Sequence, residues 1–388
     1  MDFSFIYEIT PLQWSLLGAL LFVFFIQFFY YLRFYNAVLH LKKQTDKDAV
    51  SFERKYLPVS VIICTKNDSE NLAEFLPSVL EQIYPYFEVI VVNDGSTDET
   101  NELIARLSQE YPNLYSTYIP EGVKTFGTRK LALTVGIKAA KNDILLFTEA
   151  NCKAVSKKWI VRMMRNFSSE TDIVLGFSGY EKKKNLLARL ISFDNLFNSL
   201  QYLGAAIRRR PYMGIGKNMA YRKELFFNTK GFASILRLPV GDDDLFINKN
   251  ATRNNTRVEI SQESKIEATQ ITHRKFFINK ELRLFSKQYY SFFGKYFSSV
   301  EMYTRGLFYV FLLATCLTGN MAVWITAAVI YVSRLITQEA VINSAARHFD
   351  EQKSYFLLPF FDIYLLLMQI YVFITFRLFN RKRLLRRK

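Results

Sequence analysis

The sequence predicts an α/β domain with a mostly parallel sheet, joined to N-terminal and C-terminal transmembrane helices. Three observations carry this expectation. Short apolar runs alternate with helical patterns from residue 57 to residue 149. Uncharged stretches long enough for a bilayer flank that region. The composition mixes both kinds of protein: of 388 residues, 50% are hydrophobic and 36 are Phe, yet 22% are charged, which excludes a disordered chain and a bare membrane bundle.

Each element follows from its residues. VSVIIC (59–64) has the length and β-branched content of a buried strand. Residues 71–82 place Leu72, Phe75, Leu76, Val79 and Leu80 on one helical face. EVIVVND (88–94) is the second strand, 102–109 a short helix, 114–119 the third strand, 130–140 a helix and DILLFTE (143–149) the fourth strand. Strand and helix alternating at this spacing argue a parallel sheet.

Residues 12–32 carry no charge and suffice to span a bilayer core. Asp2 and Glu8 precede them where a cleaved leader would be basic, so the segment is expected to be retained. Arg33, Lys42 and Lys43 follow, which places residues 1–11 as a short extracytoplasmic N-terminus and residues 44–304 in the cytoplasm. A second uncharged run, 306–333, would be about 42 Å long as one helix, with Thr318-Gly319-Asn320 as a kink or the tip of a shallow hairpin. A third, 355–376, is broken only by Asp362. The tail 377–388 holds seven Lys/Arg and no acid, and is expected to be cytoplasmic. One crossing in each run gives three spans and a multi-pass inner (plasma) membrane protein. From His273 to Phe297 aromatic residues alternate with Lys and Arg, as in interfacial helices at a membrane face.

The net charge of +16 fits cytoplasmic segments beside membrane spans, and no zinc-finger, RNP or recognition-helix pattern points to nucleic acid. Three scattered Cys and three His exclude a disulfide framework and a Cys- or His-based metal centre.

In an open parallel sheet ligands bind at the carboxyl ends of the strands. Those ends are polar: Thr65-Lys66-Asn67-Asp68, Asn93-Asp94-Gly95-Ser96-Thr97-Asp98, and Thr148-Glu149-Ala150-Asn151. Each alone could be helix capping, with Asp68 or Ser69 and Ser96 or Thr97 as N-caps. Three together predict a shared polar pocket.

VSVIICTKND, EVIVVNDGSTDET, GTRKLAL, LLFTEANC and GDDDLF, in this order over residues 57–290, resemble the motifs of family 2 glycosyltransferases of GT-A fold, and the flanking spans resemble the membrane-bound bacterial members. The resemblance implies inverting transfer of a sugar from a nucleotide-sugar donor, UDP-linked by the carboxylate at Asp94, to a lipid-linked or growing-glycan acceptor at the cytoplasmic membrane face. It assigns Thr65, Asp68 and Asp94 to the nucleoside, Lys130 to the diphosphate, and Asp242 or, next, Asp243 to the general base. Where the family carries two carboxylates for a divalent cation, Mg or Mn, this chain has Glu149 and Asn151, which implies a weak or absent metal site. Where membrane-bound members carry Gln-x-x-Arg-Trp, it has Lys280-Glu281-Leu282-Arg283-Leu284, so that only Arg283 remains as a donor-side cation. The two departures leave open a catalytically silent homologue that binds donor or a partner subunit. Residues 180–221, with Gly214, Gly216 and Asn218 after an amphipathic helix, fall on the acceptor side.

Overall fold

The computed structural model describes residues 9–53, 55–121 and 128–380. Gly127 of GTRKLAL, the first eight residues and the basic tail beyond 380 lie outside the described residues.

The four expected strands form as β1 (Val59–Thr65), β2 (Phe87–Asp94), β3 (Leu114–Ile119) and β4 (Ile144–Glu149). Six more follow: β5 (Cys152–Ala154), β6 (Ile173–Gly176), β7 (Ser178–Tyr180), β8 (Met219–Arg222), β9 (Thr256–Glu259) and β10 (Ile266–Ala268). The main sheet has the order β3-β2-β1-β4-β8-β6-β9. Its first four strands are parallel; β8 is antiparallel to both β4 and β6, and β9 runs parallel to β6. A small second sheet, β5-β10-β7, closes one side. Strands β1, β2 and β4 are buried nearly throughout, as continuous apolar runs require when helices cover both faces. Helices Ser69–Leu80, Thr100–Glu110 and Thr128–Ala139 are the expected crossovers.

Residues 180–221 contain a single long helix, Leu186–Ile207, buried on almost every side rather than amphipathic. It packs against the continuation of the first apolar helix. That helix, Pro11–Tyr30, starts in a capping box: Thr10 Oγ1 accepts the Gln13 amide and Gln13 Oε1 accepts the Thr10 amide. It continues through a π-turn, Tyr31–Tyr35, into Ala37–Asp46. At the turn Gly204 lies so close that a Cβ there would stand 2.2 Å from the Phe34 carbonyl oxygen. Gln201 Nε2 donates to the Tyr35 hydroxyl (3.1 Å) and Arg208 Nε to the Arg33 carbonyl (2.8 Å).

The uncharged run 306–333 is not one helix. Phe292–Cys316 ends at a turn, and Met321–His348 begins after it. Gly319 takes the left-handed φ of +67°, and Asn320 Oδ1 accepts the amides of Ala322 and Val323, so this pair stops one helix and starts the next. Phe292–Cys316 lies along Pro11–Tyr30. Tyr30 Oη donates to the Phe297 carbonyl (2.7 Å), Gln27 Nε2 to Thr304 Oγ1 (2.7 Å), and Asn320 Nδ2 to Gln13 Oε1 (3.4 Å). The interfacial segment is likewise two helices, His273–Lys287 and the start of Phe292–Cys316. The last helix, Leu358–Thr375, runs beside His273–Lys287, through Phe277 against Tyr371 and Phe285 against Phe376 just past its end. By length and hydropathy, Pro11–Asp46, Met321–His348 and Tyr355–Leu378 could each cross a membrane.

Between these helices lies a polar knot. Asp362 binds Arg334 Nη2 (2.9 Å) and Arg305 Nη1 (3.3 Å) and accepts from the Tyr309 hydroxyl (2.7 Å). Arg305 also donates to Gln369 Oε1 (3.0 Å) and faces Glu301 (3.6 Å). Two cations and two carboxylates thus balance in the interior.

Candidate functional site

The carboxyl ends of β1, β2 and β4 lie side by side, because these strands are neighbours in register. The β1 and β2 loops are tied together. The Asn67 amide donates to Ser96 Oγ (2.9 Å), and the Thr97 amide to Asn67 Oδ1 (2.8 Å). Asp98 Oδ2 accepts the Ser69 amide (3.1 Å), while its Oδ1 accepts the Thr100 amide (3.3 Å) and hydroxyl (2.5 Å). Burial works against ionisation of Asp98, but these bonds hold its carboxyl below the ordinary value. One carboxylate therefore caps two helices, a role the sequence pattern assigned to residues next to it. Gly95, at φ +64°, turns the chain after Asp94 where a Cβ would stand 3.3 Å from Glu121 Cα.

Asp94 is buried at the end of β2 with Lys66 Nζ 4.0 Å away. Asp68 accepts from Asn71 Nδ2 (2.5 Å). Thr65 Oγ1, buried at the end of β1, has no hydrogen-bond partner among the described residues, an unspent donor and acceptor.

At the end of β4 the Arg129 guanidinium lies between two carboxylates. Its Nη2 donates to Glu149 Oε1 (2.7 Å) and its Nε to Asp242 Oδ2 (2.8 Å). Burial raises the Glu149 pKa, and Arg129 and Lys217 outweigh it, so the carboxyl sits below its ordinary value. Lys217 follows the small-residue turn at Gly214 and Gly216, and its Nζ lies 4.4 Å over the Tyr180 ring. Lys130 is buried within electrostatic reach of Asp242, and its Nζ donates to the Leu238 carbonyl (2.6 Å). The exposed cation in GTRKLAL is its neighbour.

The residues at the expected cation position do not form a hard-oxygen site. Asn151 Nδ2 donates to Thr269 Oγ1 (3.3 Å), its Oδ1 accepts from the Cys152 thiol (3.6 Å), and the Glu149 carboxylate is taken by Arg129. Among the described residues no three His, Cys, Asp or Glu gather for a metal. At the position where a weak or absent Mg or Mn site was implied, the Arg129 guanidinium stands against Glu149.

The three acids of GDDDLF part company. Asp242 faces Arg129. Asp243 Oδ2 accepts the Gly216 amide (3.0 Å) and its Oδ1 the Asp244 amide (2.7 Å). Asp244 is buried against the Ser286 hydroxyl (2.5 Å) and the Tyr290 hydroxyl (2.7 Å). Arg283 lines a cavity among the apolar helices, within electrostatic reach of Asp244 and Asp243.

Burial, then Asp242 and Asp244, push the Asp243 carboxyl up to about 7. In an unfolded chain an Asp ionises at about 3.9. Between these values the folded protein holds a proton that the unfolded chain has released, so this group's contribution to stability falls as pH rises through the window and stays lost above it. Asp243→Asn removes the charge and keeps one acceptor. Relative to the parent, its thermal midpoint should gain more at pH 8 than at pH 4.5; equal changes at both would mean that the carboxyl ionises normally in the fold.

Residues 60–237 match the profile described as Glycosyl transferase family 2. Glycosyltransferase AglE of Haloferax volcanii is 33% identical over 30% of this chain and 38% of its own length. The poly-beta-1,6-N-acetyl-D-glucosamine synthase of Staphylococcus aureus (strain COL) is 25% identical over 43% of this chain. The match thus spans 38% of the length of each of these two relatives. The mannosyltransferase PcManGT from Pyrobaculum calidifontis, solved in complex with GDP-Man and Mn2+, superposes with a TM-score of 0.52 over 86% of this chain and 98% of that one, at 17% identity, a likeness that establishes the GT-A fold.

Proposed function

The chain belongs to glycosyltransferase family 2, and from that premise we propose that it transfers a sugar, with inversion, from a UDP-linked donor to a lipid-linked or growing-glycan acceptor at the cytoplasmic membrane face. The observation that carries this reading is the Arg129 bridge between Glu149 and Asp242 at the strand ends. The donor's base and ribose lie along Asp94, Thr65 and Asp68. A carboxylate at Asp94 is a fixed acceptor for the imide N–H of uracil. The diphosphate reaches Arg129 and Lys217, which meet the charge that grows as the nucleotide departs. Donor binding draws the guanidinium away from Asp242 and frees that carboxylate as base. The acceptor hydroxyl loses its proton to Asp242, its oxygen bonds to the anomeric carbon, and the carbon–phosphate oxygen bond breaks to release UDP.

Purified protein should turn over a UDP-sugar in EDTA, and Asp94→Ala should weaken UDP binding by about 1.5–3 kcal/mol, the range for bonds to charged groups. Calorimetry on folded parent and variant measures the second. Equal affinity would leave Asp94 a turn residue, and turnover that appears only with added Mg or Mn would return the diphosphate to a cation.

For topology we propose crossings by Pro11–Tyr30 and by the pair Phe292–Cys316 and Met321–His348, with Leu358–Thr375 beside the interfacial helix. This reading reconciles the hairpin with a basic cytoplasmic tail. It is supported by the contact of Asn320 with Gln13 at one end of the bundle and of His348 with the Ile260 carbonyl (2.8 Å) in the domain at the other. Accessibility labelling of a cysteine at position 319 should read extracytoplasmic; protection from outside reagents with labelling from within would overturn it.

A further inference from the structure

Four helices that carry no part of the strand-end pocket enclose a cavity of about 170 Å3. Leu186–Ile207 contributes Phe197, His273–Lys287 contributes Lys280, Arg283 and Lys287, Phe292–Cys316 contributes Met302 and Tyr303, and Leu358–Thr375 contributes Val372 and Phe373. The chemistry of its wall is uneven. Lys280 is neutralised by Asp194. Arg283 and Lys287 are not: among the described residues no carboxylate stands within 4.0 Å of either. Burial lowers the Lys287 ammonium to about 8, with Glu301, which lines the cavity, opposing it. The Glu301 carboxylate is itself engaged by Gln201 (3.3 Å) and Arg305 (3.6 Å). Asp244 and Asp194 act on Arg283 only from beyond ion-pair distance, so among the described residues neither cation has a direct carboxylate partner, and a bound anion would supply one.

We propose that this cavity seats the phosphate of an anionic lipid, the carrier end of the acceptor, between Arg283 and Lys287. The inference rests on the lipid-borne reading of the acceptor given above. The seat has an apolar exit, since Tyr303 and Phe373 line the cavity and also stand exposed on the outer surface of their helices. It has a polar link inward as well. Tyr290 lines the cavity and donates to Asp244, two residues from Asp242. A phosphate held here leaves the hydrocarbon among the apolar helices and directs the other end of the acceptor toward the acid loop.

Octyl phosphate, octanol and inorganic phosphate, titrated into the full-length protein in detergent, separate the sources of affinity. Octyl phosphate should bind at least tenfold more tightly than either of the others. Lys287→Gln should lower that affinity at least tenfold and leave UDP affinity unchanged, and Lys287→Arg should restore it. Inorganic phosphate equal to octyl phosphate would make this a free-anion site, octanol equal to it an apolar cleft; either overturns the proposal, as does unaltered octyl phosphate binding in both Lys287→Gln and Arg283→Gln. Transfer to a lipid phosphate acceptor distinguishes this failure from that of the broader reading. Normal transfer by Lys287→Gln would sink the cavity's role alone. Octyl phosphate binding that depends on Lys287, without transfer to any lipid acceptor, would sink the lipid-acceptor reading and leave the anion site standing.

Discussion

Asp242→Asn should lower turnover by about 100-fold or more, the scale of a positioned general base. The amide keeps the carboxylate's shape and removes its proton affinity. Donor affinity should hold or tighten, because Arg129 then faces one carboxylate fewer and its other partner, Glu149, stays at 2.7 Å. A loss in turnover without a loss in binding is the signature of an interaction made only in the transition state. Asp243→Asn is the discriminating control. Its carboxyl accepts two backbone amides and carries a pKa raised to about 7, so it too could take a proton. If Asp243→Asn is the damaging change and Asp242→Asn is mild, the base is the buried acid and Asp242 serves only to hold Arg129.

The largest expected effect on folding lies elsewhere. Asp362→Ala should destabilise the protein by about 3–5 kcal/mol, the cost of breaking a buried ion pair by removing one partner. Asp362 is buried and touches both Arg305 and Arg334, which come from different helices. Without it Glu301 alone opposes two guanidinium groups, and the Tyr309 hydroxyl loses its acceptor. Phe360→Ala, two residues away on an exposed position, should change little. Thermal midpoints in one detergent compare the two. A midpoint for Asp362→Ala equal to that of Phe360→Ala would show that the arginines find other partners.

How far these features could be read from the sequence depends on where their cause lies. Strands β1, β2 and β4 were legible because their burial is written as unbroken apolar runs. Their polar ends were legible because a run that stops abruptly at Thr65, Asn93 or Thr148 has a function or a cap to serve. The antiparallel β8 was not, since MAYR pairs with β4 and β6 through long-range register that no local pattern records. The helix Phe292–Cys316 was hidden by Lys295, Glu301 and Arg305. These residues break the hydropathy of the segment, and besides facing each other Glu301 and Arg305 depend on partners far along the chain, Gln201 and Asp362. The choice between Arg129 and Lys130 had a usable signal. Helical spacing does not supply it: Arg129 stands three and four residues before buried Ala132 and Leu133, and Lys130 three and seven before buried Leu133 and Ile137, so the signal to be used is the shorter reach and single ammonium of Lys130. Lys217 had only its place after a small-residue turn.

The contact at Gly204 has a mechanical consequence. A helix of the α/β domain touches the π-turn of the first apolar helix backbone to backbone, and Gln201 and Arg208 fasten it on either side. A joint with no side chain between the two parts has little room to swivel. The distance from the bundle to Asp242 is then a fixed length, and under the proposed function the molecule would work as a gauge: an acceptor would be served when its hydroxyl reaches that height, and a shorter or longer one would meet the cleft out of step.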